Sequence, residues 1–157
     1  MNKSKVQVWI YYREPEDGQY EFLTLLTRPE RGGFWQPVTG SVEKGETLEA
    51  AALREAQEET GLDCVEPPRK VEGPAGKFKF QSRGKTIEEH GFFLSVKLKK
   101  KQTLPPPVEL DPKEHVGFAW VDASEALRRV GHLSNAQVLE AVLNQLEGKA
   151  SSRKKKG

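Results

Sequence analysis

The chain has 157 residues, enough for one domain of ordinary size with a single hydrophobic core. Charged residues make up 31% of it and no apolar run approaches the roughly 20 residues that cross a bilayer, so a membrane-spanning protein is excluded. The net charge of +2, the single cysteine and the absence of a signal-peptide pattern favour a cytoplasmic protein without an internal disulfide, and they do not indicate nucleic-acid binding.

The first predicted elements form a β-hairpin. Val6, Val8 and Ile10 alternate with polar or aromatic neighbours, as in a half-buried strand. Residues 14–19 carry Pro and Asp-Gly turn signals, so residues 20–28 should return as the antiparallel partner. The segment that follows is rich in Gly and Pro and should be irregular.

A helix and then further strands are expected in the middle of the chain. Thr47 is a suitable N-cap residue and Gly61 is placed to end the helix. Residues 63–73, 76–100 and 115–122 then favour strands joined by short turns.

The C-terminal part predicts two helices and a tail. Asp122 or Ser124 can cap a short helix, and a longer helix with apolar residues at helical spacing should stop at Gly148. We therefore expect one domain over residues 1–148 and a disordered basic tail over residues 149–157.

The helix in the middle of the chain places three glutamates on the side of its small apolar residues. At about 100° per residue, positions seven, ten and eleven residues after Leu48 return to its face, and they hold Glu55, Glu58 and Glu59. Each close like-charge pair costs about 0.2–0.5 kcal/mol even when exposed, and burial would demand protons or cations. Arg54 can neutralise one carboxylate, and carboxylate oxygens are ligands that Mg²⁺ prefers. A solvated acidic face is the alternative that spacing alone leaves open.

The spacing around this helix resembles the complete Nudix box, Gly-x5-Glu-x7-Arg-Glu-U-x-Glu-Glu-x-Gly-U, where U is bulky and apolar. The fixed positions are filled by Gly40, Glu46, Arg54, Glu55, Glu58, Glu59 and Gly61. The one departure is Ala56, a small residue at an apolar position. Similarity to the Nudix family implies the α/β class, as an α/β/α sandwich with a mixed sheet and a loop–helix–loop catalytic motif.

The same resemblance implies roles for the box residues. Those expected to act at the metal are Gly40, through its carbonyl, and Glu55, Glu58 and Glu59. Glu58 would either ligate metal or assist proton transfer, while Arg54 and Glu46 would form a supporting ion pair. The implied cofactor is Mg²⁺, which Mn²⁺ can replace, bound to a diphosphate that water attacks at phosphorus. The identity of the general base differs among Nudix enzymes and stays open.

The flanks of the box are similar to the bacterial dihydroneopterin triphosphate pyrophosphatase branch of the family, formerly grouped with dATP pyrophosphohydrolases. The stretches that carry this similarity are FWQPVTG, EHVGFAWVD and LSNAQVLEAV. In that branch the Glu before the His completes the metal site, and Glu114 holds the matching position; an ordinary surface role is the alternative. The loop over residues 77–91 is shorter than its counterpart, which leaves pterin specificity open.

Four residues are candidates for contacts to the substrate: Arg28, Trp35, Gln36 and Asn135. Trp35 can stack on a pterin or purine and Gln36 can bond to its edge, although Trp35 can equally cap the core. Arg28 can meet a phosphate or form a surface ion pair. Asn135 matches the branch but also has a local explanation near a helix N-terminus.

These observations favour a Mg²⁺-dependent pyrophosphohydrolase that converts a nucleoside triphosphate or dihydroneopterin triphosphate to the monophosphate plus pyrophosphate. One alternative is a house-cleaning purine dNTP hydrolase, and another, favoured only by the basic tail, removes pyrophosphate from RNA 5′ ends. A third is a Nudix domain that binds nucleotide or RNA without turnover, against which the crowded glutamates argue. We expect a small-molecule nucleotide or pterin triphosphate as the partner, rather than a membrane or nucleic acid, and a monomer or homodimer.

Overall fold

The computed structural model describes residues 2–13, 18–62, 70–96 and 105–156, with the backbone alone for residues 2 and 149–156. Its strands are β1 (Asn2–Arg13), β2 (Tyr20–Thr27), β3 (Trp35–Gln36), β4 (Val38–Ser41), β5 (Lys77–Ser82), β6 (Lys85–Ser95) and β7 (His115–Asp122). Its helices are α1 (Leu48–Thr60), α2 (Ala123–Arg129) and α3 (Leu133–Lys156). The strands form one seven-stranded mixed sheet. Among the helices described, none has the length and apolar character that a membrane crossing requires.

Strand β1 lies at the centre of the sheet. It runs parallel to β6, with Val8 opposite Phe92, and antiparallel to β4. Its far end pairs antiparallel with β2, where Tyr11 lies opposite Phe22, which confirms the predicted hairpin. The turn residues 14–17 lie outside the described residues. Strand β7 adds to β2, and β5 adds to β6.

The side chains of β1 are buried on both faces of the sheet. Val6, Val8 and Ile10 belong to the core that α1 covers, whereas Trp9 and Tyr11 belong to the core that α2 and α3 cover. The expectation of a half-buried strand is therefore wrong, because a strand with helices on both faces has no solvent side. The two cores confirm the α/β/α sandwich.

Helix α1 begins and ends where the sequence predicts. Oγ1 of the N-cap residue Thr47 accepts a hydrogen bond from the Ala50 backbone N–H at 3.1 Å. Gly61 adopts the left-handed conformation, with φ of 63°, and its N–H donates to the Gln57 carbonyl at 2.9 Å. Buried alanines, among them Ala56, allow the helix to pack closely on the sheet beside β4.

Helix α3 is longer than the sequence predicts. It continues through Lys156, so the prediction that it stops at Gly148 is wrong, and it enters the segment predicted to be a disordered tail. A single glycine costs a helix only about 1 kcal/mol relative to alanine, and the alanine, lysines and arginine that follow are good helix formers. Of the α3 side chains described, Leu146 is the last one in the core.

The remaining predicted elements fall partly outside the described residues. Residues 63–69 of the strand expected over 63–73 are not described, and Glu72 makes an isolated bridge with Phe93. The strands expected over 76–100 are confirmed as β5 and β6 as far as Ser95, and β7 is confirmed. Asp122 caps α2, accepting from the Glu125 N–H at 2.8 Å.

Candidate metal and substrate site

A cavity of about 610 Å³ opens between β4, α1 and the start of β7. Its lining residues are Lys5, Thr27, Arg31, Phe34, Gln36, Thr39, Gly40, Ser41, Glu55, Glu59 and Glu114. Three of them carry carboxyl groups: Glu55 and Glu59 from successive turns of α1 and Glu114 from the loop before β7. The cavity therefore gathers carboxyl groups that are far apart in sequence.

Glu59 is the most constrained of these carboxylates. The residue is 7% exposed, and its Oε2 has no hydrogen-bond partner among the described residues. Burial raises the pKa of Glu59 to about 9, and repulsion from Glu55 and Glu114 adds to the effect. An ionised carboxylate in this position needs a cation to replace the lost hydration.

Glu55 lies directly over Gly40. A Cβ atom at residue 40 would overlap the Cδ, Cγ and Oε1 atoms of Glu55, so only glycine leaves room for this side chain. The close approach is possible because Gly40 lies in β4, beside the carboxylate-bearing turn of α1. Burial raises the pKa of Glu55, while the Arg54 guanidinium opposes that shift.

Arg54 braces the loop that precedes α1. Its Nε and Nη2 donate to the two carboxylate oxygens of Glu46 at 2.8 and 2.9 Å, and Nη2 also donates to the Ser41 carbonyl at 3.0 Å. Its Nη1 donates to Glu55 Oε1 at 2.9 Å. The paired guanidinium lowers the pKa of Glu46 to about 2. The supporting Arg54–Glu46 ion pair predicted from the sequence is present, and it is bidentate.

Glu58 departs from its expected position, whereas Glu114 lies where the sequence comparison expects it. The wheel placed Glu58 on the inner face, but its side chain is 61% exposed, and it meets Arg54 at 3.3 Å. That expectation is wrong because Glu58 lies at about −80° from Leu48, at the edge of the face. Glu114 does line the cavity, where its Oε2 accepts from Arg31 at 2.8 Å.

The chemistry of these donors fits a divalent cation such as Mg²⁺. Hard cations take carboxylate oxygens, which Glu55, Glu59 and Glu114 supply in this cavity, and Gly40 also lines it. Within the described ranges no three His, Cys, Asp or Glu side chains are arranged so that they could hold a metal ion together; Arg31 and Arg54 instead engage Glu114 and Glu55. The unpartnered Glu59 oxygen is the observation that favours a cation.

A second cavity of about 550 Å³ adjoins the first, and the two share Lys5, Phe34, Gln36 and Thr39. Its remaining lining residues are Phe78, Lys79, Phe80, Glu89, His132, Leu133, Ser134, Asn135 and Gln137. Sequence reasoning missed Lys5, Phe78, Phe80 and Glu89. The register of β5, β6 and β1 brings them together, because Glu89 lies opposite both Phe78 and Lys5; that register has no signal in the sequence.

Two of the four predicted substrate-contact residues line the cavities, and two do not. Gln36 lines both cavities and Asn135 lines the second. Trp35 lines neither, since successive side chains of a strand point to opposite faces; its ring lies 4.7 Å from the Arg129 guanidinium carbon. Arg28 lines neither cavity and instead donates to Glu30 and to the Pro112 carbonyl, the surface pairing that the sequence left as its alternative.

His115 links the site to the sheet. Its Nε2 lies 3.0 Å from Nε2 of Gln36, so the imidazole nitrogen accepts from the amide when neutral. Burial lowers the pKa of His115, which favours that neutral form. The contact fixes the Gln36 side chain between the two cavities.

Comparison with known proteins gives the family. Residues 3–142 match the NUDIX domain. A curated octanoyltransferase of Myxococcus xanthus is 38% identical over 111 residues, which are 69% of this chain but 28% of that protein, so the chain spans little more than a quarter of its length. Dihydroneopterin triphosphate diphosphatase of Haemophilus influenzae is 28% identical over 155 residues, 92% of this chain and 90% of that protein.

A solved structure supports the same assignment. The structure of the E. coli dihydroneopterin triphosphate pyrophosphohydrolase superposes with a TM-score of 0.62 at 28% identity, covering 87% of this chain and 92% of that one. The box residues, the sandwich fold and the match over residues 3–142 agree with one another. The chain therefore belongs to the Nudix family of hydrolases, whose members act on phosphoanhydride bonds.

Proposed function

We propose that this protein is a Mg²⁺-dependent pyrophosphohydrolase that converts a nucleoside triphosphate or dihydroneopterin triphosphate to the monophosphate plus pyrophosphate. The observation that carries the proposal is the buried, unpartnered Oε2 of Glu59, which lies in a cavity that Glu55 and Glu114 also line. A fold gains nothing from this crowding of carboxylates unless a cation neutralises it.

Different side chains would bind the metal and the phosphate chain. Gly40, Glu55, Glu59 and Glu114 would hold Mg²⁺, with Mn²⁺ as a substitute, and the ion would neutralise phosphate charge and lower the pKa of water. Arg54 holds Glu55 in place through the 2.9 Å contact. Lys5 lies where the two cavities meet, so its ammonium group suits a phosphate chain that passes from one to the other.

Glu58 keeps a proposed catalytic role of a different kind. It is exposed and reaches Glu55 only through Arg54, to which both carboxylates bond. An exposed carboxylate can accept a proton from water once substrate covers the cavity. We therefore propose Glu55, Glu58 and Glu59 as the catalytic carboxylates, with Glu55 and Glu59 at the metal.

The second cavity supports a bicyclic base as the group that carries the triphosphate. Phe34, Phe78 and Phe80 give it aromatic walls, and Gln36 and Asn135 place polar groups among them. Planar heteroaromatic rings stack on such walls. The relatives from H. influenzae and E. coli are named for dihydroneopterin triphosphate, whose pterin ring suits this cavity. A purine fits by the same chemistry, so hydrolysis of a purine dNTP is the second candidate.

The test is Mg²⁺-dependent release of pyrophosphate from a panel of purine dNTPs and dihydroneopterin triphosphate, with both products identified. Glu59→Gln should reduce turnover by at least about 10²-fold, the scale of losing a group that stabilises the transition state. Glu49→Gln is the matched control, because Glu49 lies exposed in the first turn of the same helix. Unchanged turnover in Glu59→Gln would overturn the metal-site assignment.

We further propose that the protein acts in the cytoplasm on free small molecules, as a monomer or homodimer, with residues 1–148 as the catalytic unit.

A further inference from the structure

The second cavity carries a buried carboxyl group that the hydrolysis itself does not use. Glu89 lies in β6, is 6% exposed and lines the cavity beside Phe78 and Phe80. Burial raises the pKa of Glu89, whereas the Lys5 charge and the Gln7 amide oppose that shift and favour the ionised form. A carboxylate has about four lone-pair sites, so Glu89 can accept hydrogen bonds from a ligand in the cavity in addition to its interactions with Lys5 and Gln7.

A second acceptor lies in the same cavity. Asn135 is 3% exposed, and its Oδ1 has no hydrogen-bond partner among the residues that the structure describes. Asn135 comes from the first turn of α3, whereas Glu89 comes from the sheet, and both line the cavity. Asn135 thus presents an unused acceptor and Glu89 a carboxylate with remaining acceptor capacity, and a ligand that bonds to both must bring N–H donors.

The ring edges of candidate substrates differ in the donors they offer. Guanine and pterins share a 2-amino-4-oxopyrimidine ring, whose ring N–H and 2-amino group present adjacent donors. Adenine offers one amino donor beside a ring-nitrogen acceptor. Because an ionised carboxylate only accepts hydrogen bonds, it pairs with two adjacent donors and repels a ring-nitrogen acceptor.

We infer that Glu89 is the specificity residue of this site and, with Asn135, recognises the N–H and amino edge of a 2-amino-4-oxopyrimidine ring. The substrate class is then guanine or pterin triphosphates, in preference to adenine triphosphates. Aromatic side chains stack on the ring, while Lys5 lies towards the phosphate chain and the metal site. This inference rests on the proposed function for its triphosphate substrates.

The test compares kcat/KM for dGTP, dITP, dATP and dihydroneopterin triphosphate in the wild type and in Glu89→Gln. A glutamine offers one donor and one acceptor, so it loses the guanine-type edge and matches the adenine-type edge. We expect the wild type to prefer dGTP over dATP by at least about tenfold, and Glu89→Gln to lose about 10- to 100-fold on dGTP and dihydroneopterin triphosphate while dATP stays within about threefold.

Glu88→Gln is the matched control. Glu88 is the preceding residue of β6, but its carboxylate pairs with Lys77 at 3.1 Å and it does not line the cavity, so the dGTP to dATP ratio should not change. A wild-type preference for dATP would overturn the inference. So would an equal loss on all substrates in Glu89→Gln, because a merely structural role lowers every rate alike.

Two further measurements test the inference in other ways: the first needs no variant, and the second needs no triphosphate hydrolysis. The base of dITP differs from that of dGTP only by lacking the 2-amino group. If the wild type hydrolyses the two equally fast, recognition of the 2-amino group is contradicted. If no triphosphate is hydrolysed, the proposed function fails, yet calorimetric titration with dGMP and dAMP still tests Glu89. A dGMP preference that Glu89→Gln abolishes supports the readout, and equal binding refutes it.

Discussion

Replacing Glu59 by glutamine should stabilise the metal-free protein at neutral pH. Glutamine has the shape of the protonated carboxyl but cannot ionise, and Glu59 is buried beside Glu55 and Glu114. The folded-state pKa of Glu59 is about 9, against an ordinary value of 4.5. The folded state therefore holds this proton more tightly than the unfolded state does, so the contribution of Glu59 to stability is fully present below pH 4.5 and is lost as the pH rises towards 9.

The size of the effect follows from the pH interval. At about 1.4 kcal/mol per pH unit, the wild type should lose about 3 kcal/mol between pH 4.5 and pH 7 through this one group. That figure is an upper bound, because side chains and water rearrange around a buried charge. Glu46, whose pKa is lowered to about 2, is present in both proteins, so its titration cancels in the comparison between them.

The measurement is urea unfolding of both proteins in EDTA at pH 4.5 and pH 7, followed by fluorescence. We expect nearly equal free energies of unfolding at pH 4.5 and an advantage of about 2–3 kcal/mol for Glu59→Gln at pH 7. Added Mg²⁺ should raise the stability of the wild type at pH 7 and leave the variant almost unchanged. A pH-independent difference of less than about 0.5 kcal/mol, the scale of a surface substitution, would refute the reasoning.

Two further predictions concern Gly40 and the C-terminus. Gly40→Ala should destabilise the protein by about 1–3 kcal/mol and weaken Mg²⁺-dependent turnover, because the new methyl group displaces Glu55. The control is Gly148→Ala, where a Cβ meets nothing within 4 Å; it should be neutral or slightly stabilising in the same denaturation assay. Equal effects of the two substitutions on the free energy of unfolding would contradict this. Ending the chain after Gly148 should change the free energy of unfolding by less than about 0.5 kcal/mol, because Leu146 still packs in the core. The hydrolysis of free nucleotides should stay intact. A large loss of activity would indicate that the tail binds substrate or a partner.

The ends of the first helix were predicted from local chemistry, whereas the ion pair beside it was predicted from the resemblance to the Nudix box. Thr47 and Gly61 define the helix ends through capping, which acts within one turn. Arg54 and Glu46 are paired by the family spacing, and the structure shows that pair. The position of Glu58 was wrong because a helical wheel treats the whole inner half alike, whereas the sheet covers only a narrower stripe.

The second cavity could not be predicted in the same way, because strand register creates it. Lys5 and Glu89 are far apart in sequence and become neighbours only through the parallel pairing of β1 with β6. The contact predicted for Trp35 failed for a similar reason. Neighbouring side chains of a strand face opposite ways, and it is Gln36 rather than Trp35 that faces the cavities. Long-range pairing of this kind leaves no periodic signal in either segment.

The two cavities would bind chemically different parts of one substrate. The first gathers carboxyl groups that a bound cation can neutralise once they ionise, and the second presents the carboxylate of Glu89 and the unpartnered Oδ1 of Asn135 to a ring that must donate. Lys5 lines both and is the cation placed at their junction. A free pyrophosphate with Mg²⁺ could satisfy only the first cavity, and a free base only the second. A ligand that joins a donor-rich ring to a metal-bound phosphate chain satisfies both at once, which is why base identity and turnover should be coupled in this enzyme.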